Sequence, residues 1–121
     1  MIEREEILKG QKIDESLEGN LEKLLTALNR FREVWGKPMI VTSGYRSPAH
    51  NALVGGAKRS NHMKCLAADF ADPDESLDVF CQTNLKLLED CGLWLESPLH
   101  TKGWCHLQAV PPKSGKRIFI P

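Results

Sequence analysis

Apolar residues set the first element. Leu17, Leu21, Leu24, Leu25, Leu28, Phe31 and Val34 or Trp35 recur at the spacing that gathers side chains on one face of an α-helix. Gly36-Lys37-Pro38 ends that helix. Met39-Ile40-Val41-Thr42 is then a short β-branched strand, and Ser47-Pro48 starts a short helix reaching about Val54, with Ser47 as N-cap and Pro48 at the first helical position. The stretch from Gly55 to Asn61 offers nothing to bury and reads as a loop. A second strand covers Cys65 to Phe70. Asp72-Pro73-Asp74-Glu75 opens a helix running to about Asp90, whose buried side is Leu77, Phe80, Cys81, Leu85, Leu87 and Leu88. Gly92 stops it. Three further strands follow, Leu93–Leu95, Trp104–Ala109 and Arg117–Ile120, separated by proline and glycine turns. Helices early and strands late predict an α+β fold, a small antiparallel sheet with helices packed on one side.

Composition narrows the class without changing this picture. At 121 residues, 41% hydrophobic and 26% charged, the chain is expected to form one domain over 1–121 with an ordinary core. Sixteen Lys plus Arg balance sixteen Asp plus Glu, which removes the broad attraction that non-specific nucleic-acid binding needs. No apolar run approaches the roughly 20 residues of a bilayer span. The first residues alternate charged and apolar side chains, so no cleaved signal peptide is expected and synthesis is assigned to the cytoplasm. Four cysteines, at 65, 81, 91 and 105, form no CxxC pair and are expected as free thiols.

Candidate chemistry lies in His62, Asp69 and His106. Two imidazoles and one carboxylate make a common three-ligand set for catalytic zinc, with the fourth position left to water. Strand alternation sharpens this reading. His106 shares a face with Trp104 and Gln108, whereas Cys105, Leu107 and Ala109 point to the apolar side; Asp69 shares a face with Ala67, opposite Leu66, Ala68 and Phe70. Both residues therefore project from the polar face of a strand.

Taken together, Ser43-Gly-Tyr-Arg-Ser-Pro48, Asn51, Val54-Gly-Gly-Ala57, Ser60-Asn-His-Met-Lys-Cys-Leu-Ala-Ala-Asp69 and Trp104-Cys-His106 resemble the zinc D-alanyl-D-alanine carboxypeptidase family. That family includes cell-wall carboxypeptidases and phage endolysins, and it shares its fold with the hedgehog signalling domain. The resemblance covers residues 39 to 110, and the compact ending from Val110 to Pro121 looks like small phage-type members, released or virion-delivered to the cell wall. It implies a zinc metallopeptidase cutting peptidoglycan stem peptides, as a carboxypeptidase or an endopeptidase. One Zn²⁺ on His62, Asp69 and His106 is implied, in a protein acting as a monomer without nucleic acid or membrane insertion.

The family's pattern of serine, histidine, glycine, alanine and aspartate falls on Ser60, His62, Cys65, Ala67 and Asp69, so Cys65 stands where glycine is usual. It would strain a tight turn, or bring a thiol near the metal, or be harmless; the complete ligand set favours the last. Gly103 stands where many members carry the acid that acts as general base. Glu96 is the replacement the resemblance suggests, with His100 a second possibility and His50 a surface or capping residue. Arg46 resembles the family arginine that contacts substrate near the scissile bond. Ser60 either donates to a peptide ligand or caps its loop, and Tyr45 and Trp104 are candidate cleft walls. A metal-retaining module that binds cell wall or a protein without cutting is the alternative.

Overall fold

A computed structural model describes residues 1–121. Its fold is α+β, with five α-helices and a five-stranded, mostly antiparallel sheet. The helices are α1 (Arg4–Leu8), α2 (Glu18–Trp35), α3 (Pro48–Leu53), α4 (Ser76–Thr83) and α5 (Leu85–Cys91). The strands are β1 (Val41–Ser43), β2 (Ala67–Ala71), β3 (Trp94–Glu96), β4 (Trp104–Gln108) and β5 (Ile118–Phe119), in the order β1-β2-β4-β3-β5.

The long amphipathic helix forms where the apolar spacing predicts it. Leu21, Leu24, Leu28 and Phe31 are fully buried, and Gly36 closes α2 in a left-handed conformation with its N–H on the Arg32 carbonyl. Ser47 caps α3 as expected, its side chain accepting the His50 N–H, with Pro48 in the first turn. Membership of the apolar core also follows the alternation, although both faces of β2 and β4 are buried. Leu66, Ala68 and Phe70 from the β2 region, Cys105 and Leu107 from β4, and Leu95 from β3 join the core with residues of α2, α4 and α5.

Three features differ from the sequence-based expectation. The N-terminal α1 is additional: it has only Ile7 and Leu8 to bury, too few to produce a period, and a Glu3–Glu6 capping box starts it. The single helix expected from Asp72 to Asp90 is two helices. Glu75 adopts a left-handed conformation, φ 61°, so helical geometry starts only at Ser76, while Asp72 reaches forward to accept the Leu77 and Asp78 N–H groups. Asn84 then breaks the chain between α4 and α5 at φ −132°, ψ 50°, with its side-chain amide donating to the Phe80 carbonyl. This break leaves Leu85 exposed rather than buried. Finally, β5 runs parallel to β3, Leu95 beside Ile118 and Glu96 beside Phe119, so the sheet is not purely antiparallel.

Candidate metal centre and its cleft

The polar face of the sheet carries a row of side chains, one from each of four adjacent strands. Ser43 of β1 lies opposite Asp69 of β2, and Asp69 lies opposite His106 of β4. The antiparallel pairs Trp94–Gln108 and Leu95–Leu107 bring Glu96 of β3 to the next place in the row. His62 enters from outside the sheet. It sits in a 3-10 turn, Asn61–Lys64, between the expected loop, which ends at Asn61, and the strand expected from Cys65, and the Ser60 side chain caps that turn by accepting the His62 N–H at 3.2 Å.

His62, Asp69 and His106 are each buried, and their ligating atoms all lie within 4.8 Å of one another. His62 Nε2 is 3.3 Å from Asp69 Oδ2 and His106 Nδ1 is 2.8 Å from Asp69 Oδ1. Atoms sharing a tetrahedral ion through bonds of about 2 Å stand roughly 3.3 Å apart, so these spacings suit a common metal. The outer atoms are equally constrained. His62 Nδ1 donates to the Gly44 carbonyl at 2.8 Å, which turns Nε2 toward Asp69. Gly44 is close to α1: a Cβ there would meet the Ile7 backbone, with the Ile7 Cα at 2.8 Å. No sequence signal marks this backbone carbonyl as part of the site.

Electrostatics follow from that packing. Burial alone would push the Asp69 carboxyl up, but hydrogen bonds from His106 and His62 outweigh it and bring the group down to about 2. Burial opposes protonation of His106, yet the hydrogen bond and charge of Asp69 prevail and raise its pKa. Glu96 is half-buried, and desolvation raises its carboxyl above the usual range. Arg46 sends Nη2 to within 3.6 Å of Asp69 Oδ2. Its Nε donates to Ser43 Oγ at 3.2 Å and its Nη1 to Asn51 Oδ1 at 3.5 Å, while Asn51 anchors to the Ala57 carbonyl. Asn51 is almost fully buried, a supporting role that the motif alone leaves unassigned.

A cavity of about 310 Å³ opens over this row, lined by Arg46, Ser60, His62, Asp69, Glu96, Trp104 and His106 among others. A larger cavity, about 590 Å³, lies between the N-terminus and α2; charged Arg4, Arg30 and Glu33 line it, and it holds no group of ligating side chains. The chemistry is therefore assigned to the smaller one. The structure separates Tyr45 from that cleft. Its side chain packs against the hydrophobic core and does not line the cavity, because the close approach of Gly44 to α1 turns the chain there. His100 lies exposed on the Pro98–His100 turn and His50 exposed on α3, neither in the cleft.

Both departures from the family pattern have visible consequences. Cys65 adopts φ 57°, the left-handed region that favours glycine, so the turn is strained as one expectation had it. Its thiol is fully buried in the hydrophobic core, and burial pushes it up to about 11, which places no thiolate at the metal cluster. Gly103 also has a positive φ, 84°, and its carbonyl accepts the Asp72 N–H at the approach to β4. No helix is long and apolar enough to cross a membrane.

The donor set fits a catalytic metal: two imidazoles, each oriented by a second hydrogen bond, and a carboxylate, all buried and facing a cavity. No curated protein matches the chain. The model of one family, described as peptidase M15, matches residues 2–107, a span that includes every residue of the metal-ligating group. The chain therefore belongs to the peptidase M15 family.

Proposed function

We propose that this protein is a zinc metallopeptidase that hydrolyses peptide bonds in peptidoglycan stem peptides, as a carboxypeptidase or an endopeptidase. The observation that carries this reading is the buried His62–Asp69–His106 group beneath a cavity that also receives Glu96 and Arg46. Family membership supports the reaction class, and the sequence resemblance to D-alanyl-D-alanine carboxypeptidases supports the substrate.

His62, Asp69 and His106 would hold the zinc. When bound, zinc polarises a carbonyl and lowers the pKa of water from about 15.7 toward about 7. Glu96 takes a proton from the attacking water and passes it to the departing amine. Its raised carboxyl pKa suits both halves of that transfer, because the ideal acid–base group titrates close to the working pH. Arg46 meets the negative charge that develops on the carbonyl oxygen. The bonds to Ser43 and Asn51 fix the guanidinium beforehand, so little reorganisation is needed as charge builds. The Ser60 hydroxyl accepts the His62 N–H and keeps its own hydrogen for a substrate carbonyl, and Trp104 forms one wall.

The test is mass spectrometry of products from purified peptidoglycan and synthetic stem peptides, using zinc-loaded protein, chelated protein and Glu96→Ala. Metal-dependent release of D-Ala or of stem fragments is expected, with turnover of Glu96→Ala lower by about 10²- to 10⁴-fold. A Glu96→Ala variant as active as wild type would sink the base assignment. A second reading, a zinc-retaining module that binds without cutting, is favoured by one observation: Gly103, at positive φ, in place of the family's usual acid. Bound zinc with no cleavage of any stem peptide would establish that reading instead.

A further inference from the structure

The two histidines of the metal group are held by different partners. His62 leans on a backbone carbonyl, that of Gly44. His106 leans on a side chain, Gln108, two residues further along β4 and therefore on the same face. Gln108 is 3% exposed, as deeply placed as the ligands themselves.

The hydrogen-bond roles in this corner follow from one fixed point. The Val110 carbonyl can only accept, and Gln108 Nε2 donates to it at 2.8 Å. That bond sets the amide orientation, since the reversed amide would press two acceptor oxygens together. Gln108 Oε1 consequently faces His106 Nε2 at 2.9 Å, and an oxygen there requires the hydrogen on Nε2. The remaining nitrogen, Nδ1, is the one turned to Asp69 at 2.8 Å, where the imidazolium donates a hydrogen to the carboxylate and a bound metal would take that hydrogen's place. His62 is held in the opposite sense, with hydrogen on Nδ1 and Nε2 facing Asp69.

We propose that Gln108 is a positioning residue of the metal centre: anchored by the Val110 carbonyl, its amide oxygen holds His106 in the Nε2–H tautomer, so that Nδ1 is the ligating atom. This rests on the metal site of the proposed function and adds a residue at the edge of the same cavity that acts on the metal through His106. Outer partners of this kind orient the ring and fix its tautomer, and their loss typically costs about 10- to 100-fold in metal affinity.

The test compares zinc affinity, by competition with a chromophoric chelator, for wild type, Gln108→Met and Gln108→Glu. Methionine keeps the volume and removes both hydrogen bonds, and a loss of about 10- to 100-fold is expected. Glutamate restores an acceptor for His106 Nε2 but sets its second oxygen against the Val110 carbonyl, so it should recover only part of that loss, still more than a purely space-filling role would allow. Long-range proton–nitrogen NMR correlations on histidine-labelled, zinc-loaded wild type read the tautomer directly and depend on no variant folding. They should show His106 protonated at Nε2 and His62 at Nδ1. Gln108→Met with wild-type zinc affinity, or His106 protonated at Nδ1 when loaded, overturns the role of Gln108 and leaves the peptidase reading standing. Wild-type protein that takes up no zinc overturns both.

Discussion

Each face of the sheet buries an aspartate, and the two meet opposite fates. Asp69, on the polar face, is 6% exposed and lies against two imidazoles with a guanidinium nearby, and the hydrogen bonding and charge of the imidazoles hold its carboxyl down to about 2. Asp78 of α4, on the apolar side, is 1% exposed and neither of its oxygens has a partner in hydrogen-bonding geometry. Burial pushes it up to about 7 against the pull of the Cys105 thiol, and the neighbouring Asp72 carboxylate adds to the rise. Depth alone decides nothing here. The donors around the carboxyl set its charge, so one aspartate is an anion fit for a cation and the other is a core group that folds most readily when protonated.

The largest effect expected from breaking this contrast is at Asp69. Asp69→Asn keeps the shape but removes the anion that two histidines and Arg46 address. Loss of a direct ligand should exceed the roughly 100-fold in metal affinity that loss of an outer partner costs. Metal analysis after dialysis against limiting zinc measures this directly. Retention of one equivalent at wild-type affinity would place the metal elsewhere.

Next in size is the pH dependence carried by Asp78. Its folded pKa, about 7, lies above the ordinary value of 3.8, so the folded state binds the extra proton between those limits. The stability linked to Asp78 is therefore present below pH 4 and is lost as pH rises through about 7. Such a shift corresponds to something on the order of 4 kcal/mol. Asp78→Asn, which cannot ionise, should flatten that part of the stability profile and unfold at higher denaturant than wild type at pH 8. Urea melts of both proteins from pH 4 to pH 8 make the comparison, and an unchanged slope in the variant would clear Asp78 of the effect.

The sequence made the polar face more legible than the apolar one. Period-two alternation put Asp69 and His106 on the polar side of their strands, and Gln108 shares the His106 face by the same rule. What alternation cannot supply is register, and it is the Asp69–His106 pairing that brings the two side chains together. Gly44 and Val110 act through backbone carbonyls, to which side-chain patterns are blind. Tyr45 falls outside the rule because it lies beyond the end of β1, where the chain bends against α1. On the other side, the buried unpaired Asp78 reads in sequence as one more polar residue of a helix. Its neighbour Cys105 is distant in the chain and meets it only once the helix packs on β4.

Cys65 marks the boundary between the faces and gives the smallest effect. Its backbone needs the left-handed conformation that costs a side-chain-bearing residue about 1–2 kcal/mol, and Cys65→Gly relieves that strain. The same change deletes a fully buried side chain and loosens the unfolded chain, costs of about 1 kcal/mol each. The opposing contributions leave a net change within about 1 kcal/mol, read as a small movement of the urea midpoint. Zinc affinity should not move at all, because the thiol belongs to the hydrophobic core while His62, three residues earlier, faces Asp69. A tenfold change in zinc affinity on Cys65→Gly would put the thiol on the metal side, and the separation of the two faces at this turn would fail.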